Sequence, residues 1–200
     1  MTDLGRLPRG RHGLSREEVA ASQRARILLA MADVMTSQGY LATTVADILK
    51  GAGVSRETFY QQFSSKLDCF LATFDAATEI LTLNLEPALG TEGSSLDRFD
   101  AALGAYLETL ANQPAYARLF LVEVYAAGPE ALERRMQFQR TVADRLMELL
   151  ELHPGDRFAL ELVVAGTAAL VTPLLVAGDT DAIRALRVPI LELLVRVVGR

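Results

Sequence analysis

The chain has 200 residues, of which 50% are apolar, so it can bury the core of one large domain or of a small domain joined to a larger one. Its one cysteine excludes a disulfide within the chain. With only two histidines in addition, the chain offers no ligand set for a structural zinc site, so neither a metal nor a cofactor is expected. The net charge of −5, taken for the whole chain, argues against binding to nucleic acid.

The charge is divided unevenly along the chain. Residues 1–70 have nine Lys or Arg and seven Asp or Glu, a net of +2, whereas residues 71–200 have eleven and eighteen, a net of −7. Residues 1–14 combine glycines, a proline and arginines with no apolar period, which predicts a flexible basic arm. An ordinary disordered terminus with incidental charge is the alternative interpretation of this segment.

The distribution of residue types predicts an all-α fold of about nine helices. Alanine, leucine, glutamate and arginine recur at helical spacing, and the alternation that is typical of strands is scarce. The first helix is expected to begin at Ser15, which is followed three residues later by a glutamate in a capping-box pattern, and to end at Gly39. The fourth helix is expected to begin at Ser64 or Ser65 and to run towards Pro87.

The remainder of the chain is predicted to be helical after a loop at Gly90–Asp97. The expected helices are Leu96 to Asn112, Pro114 to Ala126, Pro129 to Leu152, Gly155 to Ala177 and Asp179 to Val198. Pro173 and Pro189 fall inside apolar helical stretches and are predicted to kink them. The N-terminus lacks the pattern of a signal peptide and no apolar run reaches eighteen residues, so a cytoplasmic protein with no membrane partner is expected.

The stretch GAGVSRETFYQQF, residues 51–63, joins two short predicted helices. The helix before it is capped by Thr43 or Thr44, and the helix after it is capped by Ser55. Two short helices joined by a tight turn at Gly53 have the spacing of a helix-turn-helix, whose second helix can enter the DNA major groove. Ile48, Val54 and Phe59 are predicted to face inward and to hold the two helices at a fixed angle.

The residues left on the outer face of the second helix have side chains that suit DNA. Arg56 can donate two hydrogen bonds to guanine, Gln61 can pair with adenine, and Thr58 can meet thymine with its hydroxyl and methyl groups. The remaining candidates are donors for phosphate oxygens or, in the basic arm, for the backbone or the minor groove. They are Thr44, Ser55, Tyr60, Lys66, Arg9 and Arg11.

The same segment resembles the DNA-binding segment of the TetR (tetracycline-repressor) family of bacterial transcriptional regulators. Members commonly have the pattern T-x-x-x-I-x-x-x-A-G-V-S-x-x-x-x-Y-x-x-F-x-x-K. The matching positions are Thr44, Ile48, Ala52, Gly53, Val54, Ser55, Tyr60, Phe63 and Lys66. The resemblance implies a helix-turn-helix DNA-binding domain at residues 15–64 and a helical ligand-binding and dimerisation domain at residues 65–200. It further implies a homodimeric repressor that binds a palindromic operator in double-stranded DNA and is released by a small-molecule ligand.

The body of the chain has no motif of its own, so its roles rest on weaker patterns. The strongly apolar segments Phe158–Val176 and Ile183–Val198 are predicted to pair with a second copy of the chain in a four-helix bundle, although both could be ordinary core. The ligand, whose identity the sequence does not give, would lie among the helices from the fourth to the eighth. Candidate lining residues, which could also be ordinary core, are Phe74, Tyr106, Phe120, Tyr125 and Phe138.

Two other classes of function compete with a DNA-binding regulator. An enzyme is disfavoured because the chain has no nucleophile elbow, metal-ligand set or phosphate-binding loop. The second alternative is a helical adaptor whose helix-turn-helix no longer binds DNA, which salt-dependent binding to duplex DNA would distinguish. The sequence therefore predicts a regulator that is not an enzyme.

Overall fold

The computed structural model describes residues 15–90 and 92–198, and across these ranges the chain forms helices and short connections with no strand. The all-α fold class is therefore confirmed. The predicted basic arm at residues 1–14, including Arg9 and Arg11, lies outside the described residues.

The described ranges contain long helices joined by short turns. In chain order they are α1 (Arg16–Ala42), α2 (Val45–Ala52), α3 (Arg56–Gln62), α4 (Lys66–Leu89), α5 (Ser95–Asn112), α6 (Pro114–Arg118), α7 (Val124–Ala127), α8 (Pro129–Leu149), α9 (Arg157–Ala177), α10 (Thr180–Ala185) and α11 (Arg187–Val198). A π-helical turn, Leu119–Glu123, joins α6 to α7, and a 3₁₀ turn, Pro154–Asp156, precedes α9. Pro189 lies in the first turn of α11, where proline is tolerated, so the predicted kink within one long helix is wrong.

The helices begin at side-chain caps that the sequence indicates. Ser15 and Thr44 each form a capping box, in which the hydroxyl accepts a backbone hydrogen bond and an acidic side chain three residues later accepts one in return. The hydroxyls of Ser55 and Ser65 cap α3 and α4 by accepting a backbone hydrogen bond from the first turn of each helix. A cap of this kind contributes about 1 kcal/mol, and α2 and α3 are too short to be stable by themselves. The caps and the packing together therefore hold the corner in place.

The first three helices pack around a small group of fully buried side chains. Ile48 of α2 and Phe59 of α3 are both 0% exposed and belong to the same core as Ile27 of α1. A Cβ atom on Gly51 would lie 3.1 Å from the Cβ of Ala30, so α2 approaches α1 more closely than most side chains permit. This close approach explains a glycine in the middle of a short helix, where glycine is otherwise a poor helix former.

The core of these three helices is continuous with that of the body. Buried apolar residues form one cluster that extends from Ile27 in α1 to Leu194 in α11. Helix α1 packs against α2 and α3 and also against α4, α6, the π-helical turn and α7. The helices on either side of the boundary predicted at residues 64 and 65 are therefore packed together, with α1 in contact with both groups.

Helix α9 has an outward face that is apolar and uncovered. The segment Pro154–Ala177 has 24 residues and, by length and composition alone, is apolar enough to cross a membrane, although the core helix of a soluble protein passes the same test. Phe158, Leu162 and Val176 are 71%, 57% and 56% exposed. Between Leu162 and Val176 the exposed positions on this face are Ala165, Ala169 and Pro173. An uncovered stripe this long, with no charge along it, is unusual for a monomeric protein.

The turn at Gly53 generates a testable prediction. Gly53 has φ 63° and ψ 40°, the left-handed conformation that a Cβ atom disfavours. Gly53→Ala should lower the free energy of unfolding by about 1 kcal/mol, measured by urea denaturation. Gly53→Asn should cost less, because asparagine tolerates this conformation. Equal stability of the Ala variant and the parent protein would contradict the prediction.

Candidate nucleic-acid interface

The turn between α2 and α3 is closed by backbone hydrogen bonds. The N–H groups of Gly53 and Val54 both donate to the carbonyl of Leu49, at 2.9 and 3.3 Å. The hydroxyl of Ser55 then accepts a hydrogen bond from the N–H of Thr58 at 3.0 Å, which begins α3. The corner is therefore ordered through its own backbone, and the direction of α3 is set before any contact with another molecule.

The other end of α3 is attached to α1. The guanidinium of Arg24 donates to the carbonyl of Gln62 at 3.4 Å and lies 4.5 Å from the ring centre of Phe63. Because Arg24 belongs to α1, this contact satisfies one of the carbonyls that a helix end leaves unpaired. Both ends of α3 are thus held by side chains of the three-helix unit.

The predicted DNA-contacting residues of α3, three for bases and Tyr60 for phosphate, lie on the broad arc of the helix that faces away from the buried Phe59. Arg56, Tyr60 and Gln61 are exposed, and Thr58 is half-buried. Within the described residues Arg56 makes no hydrogen bond or ion pair, so all its donors are available to a ligand. The amide of Gln61 is held by a single long hydrogen bond, 3.4 Å, to the carboxylate of Glu57. This exposed side of α3, residues 56, 58, 60 and 61, is called the recognition face below.

Two of the predicted phosphate-contacting hydroxyls already have roles as helix caps. Thr44 donates its hydroxyl proton to the carboxylate of Asp47 at 2.6 Å, and hydrogen bonds from Thr44 lower the pKa of Asp47. The hydroxyl of Ser55 accepts from Thr58 and lies 2.9 Å from the hydroxyl of that residue. A phosphate contact from Thr44 would have to replace its hydrogen bond to Asp47.

Lys66 has a structural role that sequence reasoning missed. Its ammonium donates to the carbonyls of Tyr40 and Thr43, at 2.9 and 2.8 Å, and lies 4.1 Å from the centre of the Tyr40 ring. Burial lowers the pKa of Lys66. The lysine therefore joins the first turn of α4 to the end of α1. Two of its three N–H donors are used within the protein.

The end of α1 is also joined to the body of the molecule through a buried carboxylate. Gly39 breaks the helix with φ 76° and ψ 164°, and the N–H of the next residue, Tyr40, donates to Glu123 Oε2 at 2.7 Å. Glu123 is only 6% exposed and lies in the π-helical turn, 83 positions along the chain. The one signal in the sequence is a single acidic residue in the apolar run 119–124. The contact of Gly39 and Tyr40 with Lys66 and Glu123 is called the α1 joint below.

A cavity of about 110 Å³ lies in the body between α4, α5, α8 and α9. Of the predicted lining residues, Tyr106, Phe120 and Phe138 lie in its wall. Phe74 does not line it, because it is fully buried and stacks on Phe120 with 5.3 Å between ring centres. Tyr125 does not line it either, because its side chain is 58% exposed and its hydroxyl accepts a hydrogen bond from the half-buried Arg135.

Comparison with known proteins identifies the family. A sequence profile described as bacterial regulatory proteins of the tetR family matches residues 27–73, which span α2, α3 and parts of α1 and α4. The chain belongs to the TetR family. Similar curated proteins from Mycolicibacterium smegmatis are the HTH-type transcriptional activator FasR, 26% identical over 74% of this chain, and the HTH-type transcriptional regulator EthR, 27% identical over 84%. The matches cover 68% and 66% of the lengths of those two proteins.

Solved structures of other regulators share the fold. FadR from Bacillus subtilis, solved with stearoyl-CoA, superposes with a TM-score of 0.75 at 20% identity and covers 87% of this chain and 98% of FadR. FadR from Bacillus halodurans gives a TM-score of 0.74 at 20% identity, covering 85% of this chain and 96% of its own. The helical arrangement of this TetR-family chain therefore extends through the body as well as the DNA-binding segment.

The hydrogen bonds of Lys66 generate a second prediction. Lys66→Met keeps most of the side chain but leaves the carbonyls of Tyr40 and Thr43 without their donor, which should lower the free energy of unfolding by about 1 to 3 kcal/mol. The control is Lys50→Met, at an exposed lysine of α2, which should change it by less than about 0.5 kcal/mol. Urea denaturation of both variants measures the difference. A Lys66 variant as stable as the control would refute the structural role.

Proposed function

We propose that this TetR-family protein is a homodimeric repressor that binds a palindromic operator through the recognition face and is released by an apolar ligand in the body cavity. The observation that carries the proposal is the exposed, hydrogen-bonding side of α3, whose Arg56 has no partner among the described residues. An arginine left free at the start of a rigidly held helix suits bidentate contact with guanine in the major groove. Helix α3 would then specify the bases, with flanking donors positioning it on the phosphates.

The proposal of a dimer rests on the uncovered face of α9. Its small residues, Ala165 and Ala169, would let a second helix approach closely, while Leu162 and Val176 supply apolar area at the two ends. Val188 and Val195 extend the exposed apolar surface onto α11. Two copies related by a two-fold axis would cover these surfaces and present two recognition faces to a palindromic site. The same pairing explains an apolar helix in a protein that acts on DNA in the cytoplasm.

The proposed ligand follows from the cavity and from a similar structure. The polar groups that line the cavity are few, and its wall is mainly aliphatic and aromatic, which suits an apolar molecule. FadR from Bacillus subtilis was solved with stearoyl-CoA, which has a long apolar chain. A cavity of about 110 Å³ is of the same order as engineered protein cavities that hold benzene. It would therefore accept a small or narrow apolar group without rearrangement of the fold.

The route from cavity to DNA would pass through the π-helical turn. Phe120 lies in the cavity wall, and Glu123, three residues later in the same turn, binds the backbone of Tyr40 at the α1 joint. A ligand that moves Phe120 would bear on Glu123 and hence on α1 and the recognition face. The protein would have one arrangement that fits the operator and one that does not. The ligand can weaken DNA binding by no more than the ratio of its affinities for these two arrangements.

The sign of regulation depends on where the operator lies relative to the promoter. We propose repression, the outcome expected when an operator overlaps a promoter, whereas the similar FasR is named an activator. Transcription from a template that carries the selected operator, with and without the protein, distinguishes the two. The adaptor alternative predicts no salt-dependent affinity for duplex DNA.

Selection of operators from random duplexes tests the proposal directly. An inverted repeat should be enriched, and Arg56→Ala should cost about 1 to 3 kcal/mol while relaxing the preference at one base of each half-site. Arg140→Ala, at an exposed arginine of α8, is the matched control and should leave the selected sequence unchanged. If no inverted repeat is enriched, sequence-specific binding by a two-fold dimer is the wrong function for this chain.

The apolar face of α9 gives a separate prediction about assembly. Leu162→Glu places a charge on the apolar face of α9 that is proposed as the interface and should convert the dimer to a monomer, because an unpaired buried carboxylate costs several kcal/mol. Gln137→Glu, at an exposed site on α8, adds the same charge elsewhere and should leave the dimer intact. Sedimentation velocity measures both. A Leu162→Glu variant that stays dimeric would place the interface on another surface.

A further inference from the structure

The wall of the cavity is apolar except at one end. Tyr106 of α5 and Gln139 of α8 bring a hydroxyl and an amide to the wall, and neither makes a hydrogen bond to any other described residue. Thr167 also lines the cavity, but its hydroxyl donates to a carbonyl of its own helix at 2.7 Å. Tyr106 and Gln139 therefore have the polar groups that a ligand could engage.

A positive charge lies behind this end of the cavity. Arg135 is one helical turn before Gln139, on the face of α8 that continues into the cavity lining. Burial raises the pKa of Tyr106 to about 12, and the charge of Arg135 opposes that rise. The spacing along α8 therefore places one cation, Arg135, beyond the Tyr106 end of the cavity and outside its lining.

The charge of Arg135 is not neutralised within the described residues. One guanidinium nitrogen donates to the hydroxyl of Tyr125 at 2.6 Å, and the group lies 5.1 Å from the centre of that ring. Its Nε atom is buried with no hydrogen-bond partner. The ion pairs that the described ranges contain include no partner for Arg135. A half-buried arginine that has no carboxylate as an ion-pair partner favours the binding of an anion nearby.

The opposite end of the cavity has the reverse charge. A groove of about 950 Å³ between α4, α5 and α8 does not include Tyr106 or Gln139 but shares part of its lining with the cavity, namely Leu85, Ala102, Phe138, Val142 and Leu146. Carboxylates outnumber arginines along this groove. The carboxylates are Asp75, Glu79, Glu86, Glu148 and Glu151, and the arginines are Arg98 and Arg145. An anionic group placed in the groove would be repelled by most of its charged neighbours.

We infer that the cavity binds an unesterified, linear apolar carboxylic acid, with its carboxylate against Tyr106, Gln139 and Arg135 and its chain directed along α8 towards the acidic groove. This rests on the proposed function and names the chemical class of its ligand. A carboxylate there would accept from the tyrosine hydroxyl and the amide that line the cavity, with Arg135 outside the lining as its counter-charge, and the apolar wall from Val142 to Leu146 would cover the chain. A thioester with a large polyanionic head would need that head in the acidic groove, so this chain should disfavour it.

Isothermal titration calorimetry of the full chain tests this orientation with three matched probes. Decanoate should bind at least about tenfold more tightly than decanol, which lacks the charge, and more tightly than decanoyl-CoA, whose phosphates would meet the groove. Arg135→Met and Tyr106→Phe should each weaken decanoate binding by about tenfold and leave decanol binding unchanged. Arg140→Met, on the exposed side of the same helix, is the control and should bind decanoate as the parent protein does.

Thermal unfolding of each variant establishes that it is folded before binding is compared. The inference is overturned if decanol or decanoyl-CoA binds as tightly as decanoate, if none of the three binds, or if both folded variants keep the parent affinity for decanoate. Operator binding by the ligand-free protein is measured in parallel. Intact operator binding without a preference for the carboxylate overturns this inference alone, whereas failure to select any operator overturns the proposed function.

Discussion

The hydrogen bond from the Tyr40 N–H to the buried carboxylate of Glu123 determines how the two parts of the molecule are joined. Helix α1 belongs to the core of the helix-turn-helix and also packs on α6, the π-helical turn and α7. Its end at Gly39 is therefore part of both the DNA-binding unit and the body. Lys66 binds the same short segment from the side of α4. A buried carboxylate with a backbone partner is costly to separate, because either group would be left unsatisfied. The orientation of α3 therefore depends on contacts far from α3 itself.

The local structure of the corner could be predicted because its determinants are local. Ser15, Thr44 and Ser55 cap helices whose first turns follow them directly, and Gly53 adopts the positive φ that its turn requires. The exposed side of α3 follows from the single buried position at Phe59 and helical periodicity. These features need only a few neighbouring residues. The same range of sequence also contains the motif that identifies the TetR family.

Features that depend on distant partners could not be predicted. A lysine that binds a phosphate and a lysine that donates to two backbone carbonyls can occupy the same position in the sequence pattern. Only the fold brings Lys66 to the carbonyls of Tyr40 and Thr43. Glu123 meets a backbone group 83 positions away. Tyr125 and Phe74 both fit an aromatic lining pattern, yet one is exposed and the other lies behind Phe120. Helical spacing gives the direction of a side chain but not the element that faces it.

The close approach of Gly51 to Ala30 also limits which amino-acid substitutions these two positions can accept. A Cβ atom at position 51 would lie 3.1 Å from that of Ala30, so a side chain there would require the two helices to shift by a few tenths of an ångström, and α2 fixes where α3 begins. A larger residue at either position would displace α2, and with it the start of α3, without altering any residue of the recognition face. The two positions should therefore vary together among functional relatives, as a small pair maintained by backbone spacing. The direction of α3 can therefore change through this packing position while the side chains of the recognition face stay the same.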